Sequence, residues 1–303
     1  MGAGHSHGSP SQHAGGRYRT RLAAAFAMIA VFFVVELVAG ILTGSLALIS
    51  DAGHMAADVV ALGAALVATK IATRPDSSGR RTYGSYRAEV FASGLTVLIM
   101  LGVSAYVVVE AISRIGDEPE VAATSMLVVG ALGLAINIAT MFLLRAGSKE
   151  SLNVKGAYFE VVADAAGSVG VIVAGVLVAA TGNGLWDTLV ALAIGVFVAV
   201  RALVLGRQVL AVLAQHIPAG MSLDDVVTDL EAVPGIADVH DLHIWSLTSG
   251  MNVATAHLVV EDGASASTVL AAAQGVLAER HEIEHATLQV EEAPTRRCHE
   301  ITW

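Results

Sequence analysis

Long apolar segments separated by short polar connections fill the first part of the 303-residue chain. Six of these segments reach the roughly 20 residues that an α-helix needs to cross a bilayer. They are Leu22–Ile41, Ser45–Ile71, Ala88–Ile112, Val121–Leu144, Tyr158–Ala180 and Asp187–Val209. The pattern predicts an α-helical membrane domain with six transmembrane helices.

After Gln215 the apolar positions take the spacing of short amphipathic elements. Period-2 and period-3.6 patterns predict the helices and strands Ser222–Val233, Val239–Trp245, Val253–Val260, Ser265–Arg280 and Ala286–Val290. Their order, αββαβ, is typical of a compact α+β domain, and we expect a ferredoxin-like arrangement. The expected plan is a His-containing flexible tail (1–18), a membrane domain (19–212), a cytoplasmic α+β domain (213–293) and a C-terminal tail (294–303).

Composition agrees with a membrane protein. The chain is 55% hydrophobic and 15% charged, whereas soluble domains are about a quarter charged. The formal net charge of −10 belongs to the tail domain, since fourteen acidic residues but only three arginines follow Leu210.

Basic residues mark one side of the membrane. They precede the first segment and occupy alternate connections, and the intervening connections have almost none; the basic set is Arg17, Arg19, Arg21, Lys70, Arg74, Arg80, Arg81, Arg87, Arg145, Lys149, Lys155 and Arg207. By the positive-inside rule both termini are expected in the cytoplasm. The expected location is the inner or plasma membrane.

Ionisable residues interrupt two of the apolar segments. Asp51, His54 and Asp58 stand at i, i+3 and i+7 in the second, so all three share one helix face. Glu160 and Asp164 stand at i and i+4 in the fifth. A charged group at the bilayer centre costs about 3 kcal/mol on the insertion scale. These groups must therefore surround a cation or share protons.

A divalent metal satisfies this requirement. Zinc takes four ligands from imidazole and carboxylate groups, and two i,i+4 pairs on adjacent helices can converge on one point. We predict His54, Asp58, Glu160 and Asp164 as this site, with Asp51 as a spare ligand, a proton acceptor or a residue of a water-filled vestibule. The alternative is a set of buried acids paired with backbone donors or basic side chains. It is disfavoured on the expectation that no lysine or arginine lies mid-span.

Several motifs now match a known family. They are HMAAD (His54–Asp58), RRTYGSYRAEVFASG (Arg80–Gly94), EVVAD (Glu160–Asp164) within Ser151–Ile172, and HDLHIWSLTSG (His240–Gly250). With six spans and an α+β tail, the chain resembles the cation diffusion facilitator family. It is most similar to the bacterial zinc and cobalt–zinc–cadmium exporters of that family.

The resemblance implies a homodimeric antiporter, joined largely through the tail domain, that exports cytoplasmic divalent metal in exchange for protons. Zn²⁺ is the expected substrate, with Cd²⁺ or Co²⁺ as alternatives. No enzymatic activity, organic cofactor or nucleic-acid partner is expected. Many zinc members have histidine where this chain has Glu160. A carboxylate there makes Mn²⁺ or Fe²⁺ more acceptable, although His54 still favours a borderline metal.

The resemblance carries over only in part to the tail. His240 and His257 match positions that bind metal in some members, and the last-strand position is Glu291 here. The sequence leaves open whether the tail domain regulates transport. It also leaves open the roles of His5, His7, His13, Cys298 and His299.

The expected mechanism is alternating access, in which the four membrane ligands hold either metal or protons. A metal sensor or scaffold that binds without transporting, and a passive channel, remain as rivals. A membrane metalloprotease would need an HExxH motif within a membrane segment, and the HExxH match of this sequence, HEIEH (His281–His285), lies in the tail, outside the apolar segments. An ATP-driven pump would need a P-loop, which the sequence lacks.

Overall fold

The structure, a computed structural model, describes residues 19–72, 82–115, 121–146, 152–248 and 250–293. These residues form two compact units. One comprises the described residues of Met1–Leu66 and Ala92–Leu205, and the other those of Val67–Phe91 and Gly206–Trp303. The predicted tails at 1–18 and 294–303, with their histidines and Cys298, lie outside the described residues.

Every predicted apolar segment is helical. The helices are α1 (Arg19–Thr43), α2 (Leu46–Ala72), α3 (Arg87–Ser113), α4 (Ala123–Leu144), α5 (Leu152–Thr181) and α6 (Leu185–Leu213). Five of them, all except α2, are long and apolar enough to cross a membrane. Helix α2 has 27 residues, and most side chains of its second half lie outside the described residues. The count of six spans therefore stays a prediction.

Large apolar side chains cover the outer surface of these helices. Val31 is 66% exposed, Leu42 79% and Phe142 68%. Helices that are apolar on every face are typical of membrane spans, because lipid rather than water surrounds them. The inner faces pack around a core that contains Phe32, Leu48, Met55, Met126 and Val171.

Glycines let neighbouring helices approach closely. A Cβ atom on Gly53 of α2 would lie 2.1 Å from Cγ1 of Val103 on α3. One on Gly133 of α4 would lie 2.6 Å from the Phe32 ring of α1. A larger residue at either crossing would require the partner side chain to shift, as is common where membrane helices pack through small residues.

The N-terminus of α2 is capped from a distant helix. Asp187 of α6 is fully buried and accepts hydrogen bonds from the Leu46 amide at 2.7 Å, the Ala47 amide at 3.1 Å and the Ser45 hydroxyl at 2.6 Å. The first amides of a helix have no partner within the helix, and a carboxylate there is also favoured by the helix dipole. This contact fixes the start of α2 relative to α6.

The second unit contains the α+β tail. Its elements are α7 (Leu223–Glu231), β1 (Ile236–Thr248), β2 (Met251–Val260), α8 (Ala266–His281) and β3 (His285–Glu291). The predicted order αββαβ is confirmed, and β1 is longer than predicted at both ends. The sheet order is β1-β2-β3, with β1 antiparallel to β2 and β3 parallel to β2. The ferredoxin-like arrangement stays a prediction.

A small apolar core holds the tail together. Leu230 of α7, Leu258 of β2 and Leu277 of α8 are fully buried, together with Ile283. Helix α8 connects the two parallel strands, as parallel pairing requires a crossover. Ser222 caps α7 by accepting a hydrogen bond from the Asp225 amide, as its position before two acidic residues predicts.

Candidate metal centre

Helices α2 and α5 bring three ligand side chains together. Nε2 of His54 lies 3.2 Å from Oδ1 of Asp164 and 3.7 Å from Oδ2 of Asp58. One ligand atom from each residue lies within 4.8 Å of the others. We call His54, Asp58 and Asp164 the membrane cluster. The i,i+4 spacing places His54 and Asp58 on one face of α2, and the packing of α5 supplies Asp164.

The membrane cluster fits a cation. His54 and Asp164 are each 3% exposed. Within the described residues, Oδ2 of Asp58 has no hydrogen-bond donor, and the polar neighbour of Oδ1 of Asp164 is the His54 ring at 3.2 Å. Buried carboxylate oxygens without donors are costly unless a positive charge compensates them. Imidazole and carboxylate together are ligands that Zn²⁺ accepts at about 2 Å, so a contraction of the cluster around one ion would satisfy all three groups.

Glu160 lies outside the membrane cluster and is paired with a residue that the sequence analysis overlooked. Its Oε2 forms an ion pair with Nη2 of Arg201 on α6. Nη1 of the same guanidinium lies 3.0 Å from Nε2 of His54. The expectation that no lysine or arginine lies mid-span is wrong, because Arg201 lies inside α6 and compensates part of the acidic charge.

Asp51 also lies outside the membrane cluster. It is 2% exposed and shares a hydrogen bond with Glu36 of α1, which is equally buried. A hydrogen bond between two carboxyl groups requires a proton on one of them. Gly167 of α5 makes room for this pair, since a Cβ there would lie 2.5 Å from Oδ1 of Asp51. The structure thus places Asp51 in a neighbouring carboxyl pair.

The tail unit contains a second group of possible ligands, His240, His257 and Glu291, which we call the tail cluster. One ligand atom from each lies within 4.8 Å of the others. Nδ1 of His257 lies 2.9 Å from Oε1 of Glu291, and Nε2 of His240 lies 3.7 Å from Oε2. His240 and His257 are direct cross-strand partners, which brings their ring centroids to 5.2 Å.

A β-bulge shapes the tail cluster. The register of β1 against β2 shifts between His240 and His243, and Asp241 within the shift has a φ of 53°. Bulges of this kind redirect neighbouring side chains. Asp241 consequently contacts His243 at 3.0 Å and lies 3.9 Å from Nε2 of His257. Two imidazoles and one carboxylate, with a second carboxylate nearby, make a donor set suited to Zn²⁺.

Comparisons with known proteins identify the family. Residues 22–214 match the model of the cation efflux transmembrane domain. Residues 218–293 match that of the cation efflux protein cytoplasmic domain. The chain therefore belongs to the cation efflux family and is a multi-pass membrane protein with a C-terminal cytoplasmic domain.

Relatives of similar length match nearly the whole chain. The metal cation efflux system protein CzcD of Cupriavidus metallidurans is 43% identical, over 98% of this chain and 93% of that protein. A cadmium, cobalt and zinc/H(+)-K(+) antiporter of Bacillus velezensis is 36% identical over 96% and 92%. The zinc transporter ZitB of Escherichia coli is 33% identical over 97% and 94%.

One solved structure, the metal-bound C-terminal domain of the CzcD transporter from Cupriavidus metallidurans, is 38% identical over 23% of this chain and 99% of that one. Its TM-score is 0.23, which is too low to support an argument about either cluster.

Two residues of α6, Arg201 and Asp187, make contacts between helices that the sequence did not predict. Arg201 stands alone in the apolar stretch VFVAVRALVL, and a lone charge inside a membrane segment is itself a signal of a functional or paired site. Asp187 is the first residue of the sixth predicted span, and nothing in the local pattern indicates the distant amides that it caps.

Proposed function

We propose that this protein exports a divalent metal cation, with Zn²⁺ as the preferred substrate, in exchange for protons. One observation carries the proposal. Three buried ligand groups from two helices converge within 4.8 Å in a unit whose helices are built to cross a membrane. Among the described residues, Oδ2 of Asp58 has no donor, and Oδ1 of Asp164 has only the His54 ring nearby. A transported cation is the group that satisfies them.

The donor set supports zinc. His54 supplies a borderline nitrogen ligand, and Asp58 and Asp164 supply carboxylate oxygens, a combination common in zinc sites. Glu160 or a water molecule completes four-fold coordination. Cd²⁺ and Co²⁺ suit the same ligands. Mn²⁺ and Fe²⁺ prefer oxygen ligands, so the carboxylates favour them and the imidazole does not. The relatives named for zinc, cadmium and cobalt are consistent with this order.

Proton coupling follows from the ligands. Each must be deprotonated to bind metal, so metal and protons compete for the same atoms. Metal loads from the cytoplasm, the helices rearrange to open the site outward, and protons displace the metal. Protonated ligands carry less charge, which makes the return of the empty site through the membrane less costly. The antiporter among the relatives supports exchange as the mode of transport.

The tail completes the proposal. We infer that the tail cluster holds a resident Zn²⁺ ion that regulates transport, and that the cytoplasmic domain joins two copies of the chain. The excess of basic residues in alternate connections supports cytoplasmic termini in a cell membrane.

The experiment is metal flux into vesicles that contain the purified protein. Zn²⁺, Cd²⁺, Co²⁺ and Mn²⁺ are compared with and without an imposed pH gradient. We expect Zn²⁺ flux to rise with the gradient and Asp58→Ala to abolish it. Ser222→Ala, which changes only a helix cap in the tail, is the control for reconstitution.

Each rival has its own outcome. Binding without flux in any gradient would identify a sensor or scaffold. Flux that ignores the pH gradient would identify a channel. Faster flux of Mn²⁺ than of Zn²⁺ would assign the site to a harder metal.

A further inference from the structure

Arg201 holds two of the four predicted ligands at once. Its guanidinium pairs with Oε2 of Glu160 through Nη2 and reaches Nε2 of His54 at 3.0 Å through Nη1. Its Cζ atom lies 5.9 Å from the ring centroid of Phe197, one turn earlier on α6, within the range of a cation–π contact. The side chain is 26% exposed, so most of it is packed between α2, α5 and α6.

The contact with His54 involves the electron pair that a metal needs. An arginine nitrogen can only donate, so Nε2 of His54 is the acceptor and its lone pair points at the guanidinium. Asp164 and Asp58 approach the same nitrogen at 3.2 Å and 3.7 Å. The guanidinium therefore contacts the nitrogen that both carboxylates approach, and it supplies a positive charge beside the membrane cluster.

We propose that Arg201 is a tethered cation that takes the place of the metal when the membrane cluster is empty, and that metal binds only when the guanidinium withdraws from His54 and Glu160. Arg201 is therefore a positioning residue. The proposal rests on the transport function proposed above. It adds to that function a cation that belongs to the chain itself.

Two consequences follow. A metal ion must overcome the repulsion of a nearby positive charge and the loss of two contacts made by Arg201, so the arginine weakens metal binding. The same charge partly neutralises the acids of the empty site, which lowers the cost of keeping them in a membrane. Arg201 should therefore lower the affinity for metal and raise the rate of turnover.

The test uses full-length protein with Arg201→Gln, Arg201→Lys and the control Arg207→Gln. Arg207 is an exposed arginine on the same helix, six positions later. Zn²⁺ affinity is measured in detergent by competition with a chelator, and the contribution of the tail cluster is taken from Asp164→Ala measured in parallel. KM and kcat for Zn²⁺ flux are measured in vesicles.

We expect Arg201→Gln to bind Zn²⁺ about tenfold more tightly and to lower KM, because a unit charge beside a divalent ion has been removed. Its kcat should fall. Arg201→Lys, which keeps the charge, should have a Zn²⁺ affinity nearer to that of the wild type. Arg207→Gln should have the same Zn²⁺ affinity as the wild type. A structural role for Arg201 would instead weaken binding and slow transport together, and this result, or unchanged affinity, would overturn the proposal.

A second measurement needs no variant. In structures of the wild type with and without Zn²⁺, the guanidinium should lie within hydrogen-bond distance of His54 only when metal is absent. Zinc bound by His54 with Arg201 still on Nε2 would also overturn the proposal. If the wild type moves no metal, the transport function fails; if it moves metal but Arg201→Gln gains no affinity, only this inference fails.

Discussion

The membrane cluster and the tail cluster have similar ligands but are held in different ways. Each has three side chains with one ligand atom apiece within 4.8 Å. The membrane cluster takes its side chains from α2 and α5, which are separate helices packed through side chains. The tail cluster takes one ligand from each of three hydrogen-bonded strands, where His240 directly opposes His257 and Val259 opposes Glu291.

This difference teaches how one ligand chemistry can serve two purposes. Helices that pack through side chains can slide or rotate by one or two ångströms, so their ligands can separate and release an ion. Strands are joined by a ladder of backbone hydrogen bonds, so their ligands stay at fixed spacing. The membrane cluster is suited to an exchangeable ion and the tail cluster to a resident one.

The largest expected effect is on the number of Zn²⁺ ions bound per chain, which distinguishes the two clusters. Full-length protein should bind two Zn²⁺ per chain, and Asp164→Ala and Glu291→Ala should each lose a different one. Removing Asp164 should also reduce flux by more than about a hundredfold, since removing even an outer-shell partner costs 10–100-fold. Bound metal is counted by elemental analysis after dialysis. Glu284→Ala, which changes an exposed acid beside β3, is the control and should retain both ions.

The next effect concerns the contact by which Asp187 of α6 caps the N-terminus of α2. Asp187→Ala removes three hydrogen bonds and leaves two buried amides without an acceptor, which should cost about 3 kcal/mol of unfolding free energy. Thermal unfolding in detergent measures the loss. Asp187→Asn keeps one acceptor oxygen and should lose less; equal stability of all three proteins would contradict the capping role.

A smaller effect probes the close crossing of α2 and α3. Gly53→Ala places a methyl group 2.1 Å from Val103, and such overpacking costs about 1–3 kcal/mol. Gly102→Ala on α3 is the matched control, because its Cβ would meet nothing within 4 Å. The control should be neutral or slightly stabilising. The same melting assay compares them, and a Gly53→Ala protein as stable as the control would mean that the crossing can relax.

The smallest effect contrasts a solvated ion pair with the pair in the membrane unit. Arg280 is 62% exposed and contacts Asp229 at 2.6 Å. Exposed pairs contribute about 0–1 kcal/mol, so Arg280→Ala should leave stability and flux nearly unchanged. His281 also contacts Asp229, at 2.9 Å, and keeps that carboxylate paired. A loss of unfolding free energy above about 2 kcal/mol would contradict this expectation, because it exceeds what exposed ion pairs contribute.

Much of the fold was readable from the sequence. Runs of apolar residues predicted each of the long helices, and the αββαβ order of the tail followed from local periodicity. Helices α1 and α5 begin earlier than predicted, because polar residues such as Arg19 and Asn153 continue a helix beyond its apolar part. The i,i+4 spacing of His54 and Asp58, and the matching spacing in α5, identified three side chains that the structure brings together, although Glu160 of the same pattern lies outside the membrane cluster.

The sequence by itself determined that ionisable residues share faces of apolar helical segments, because helical periodicity and the cost of charge in lipid are local properties of a segment. Only the tertiary structure decided how those residues are partnered. Glu160 faces Arg201, Asp51 faces Glu36, and Asp187 caps a helix 140 residues away in the chain. Such partners are set by how helices cross and which side chains then meet, and no periodicity within one segment encodes that.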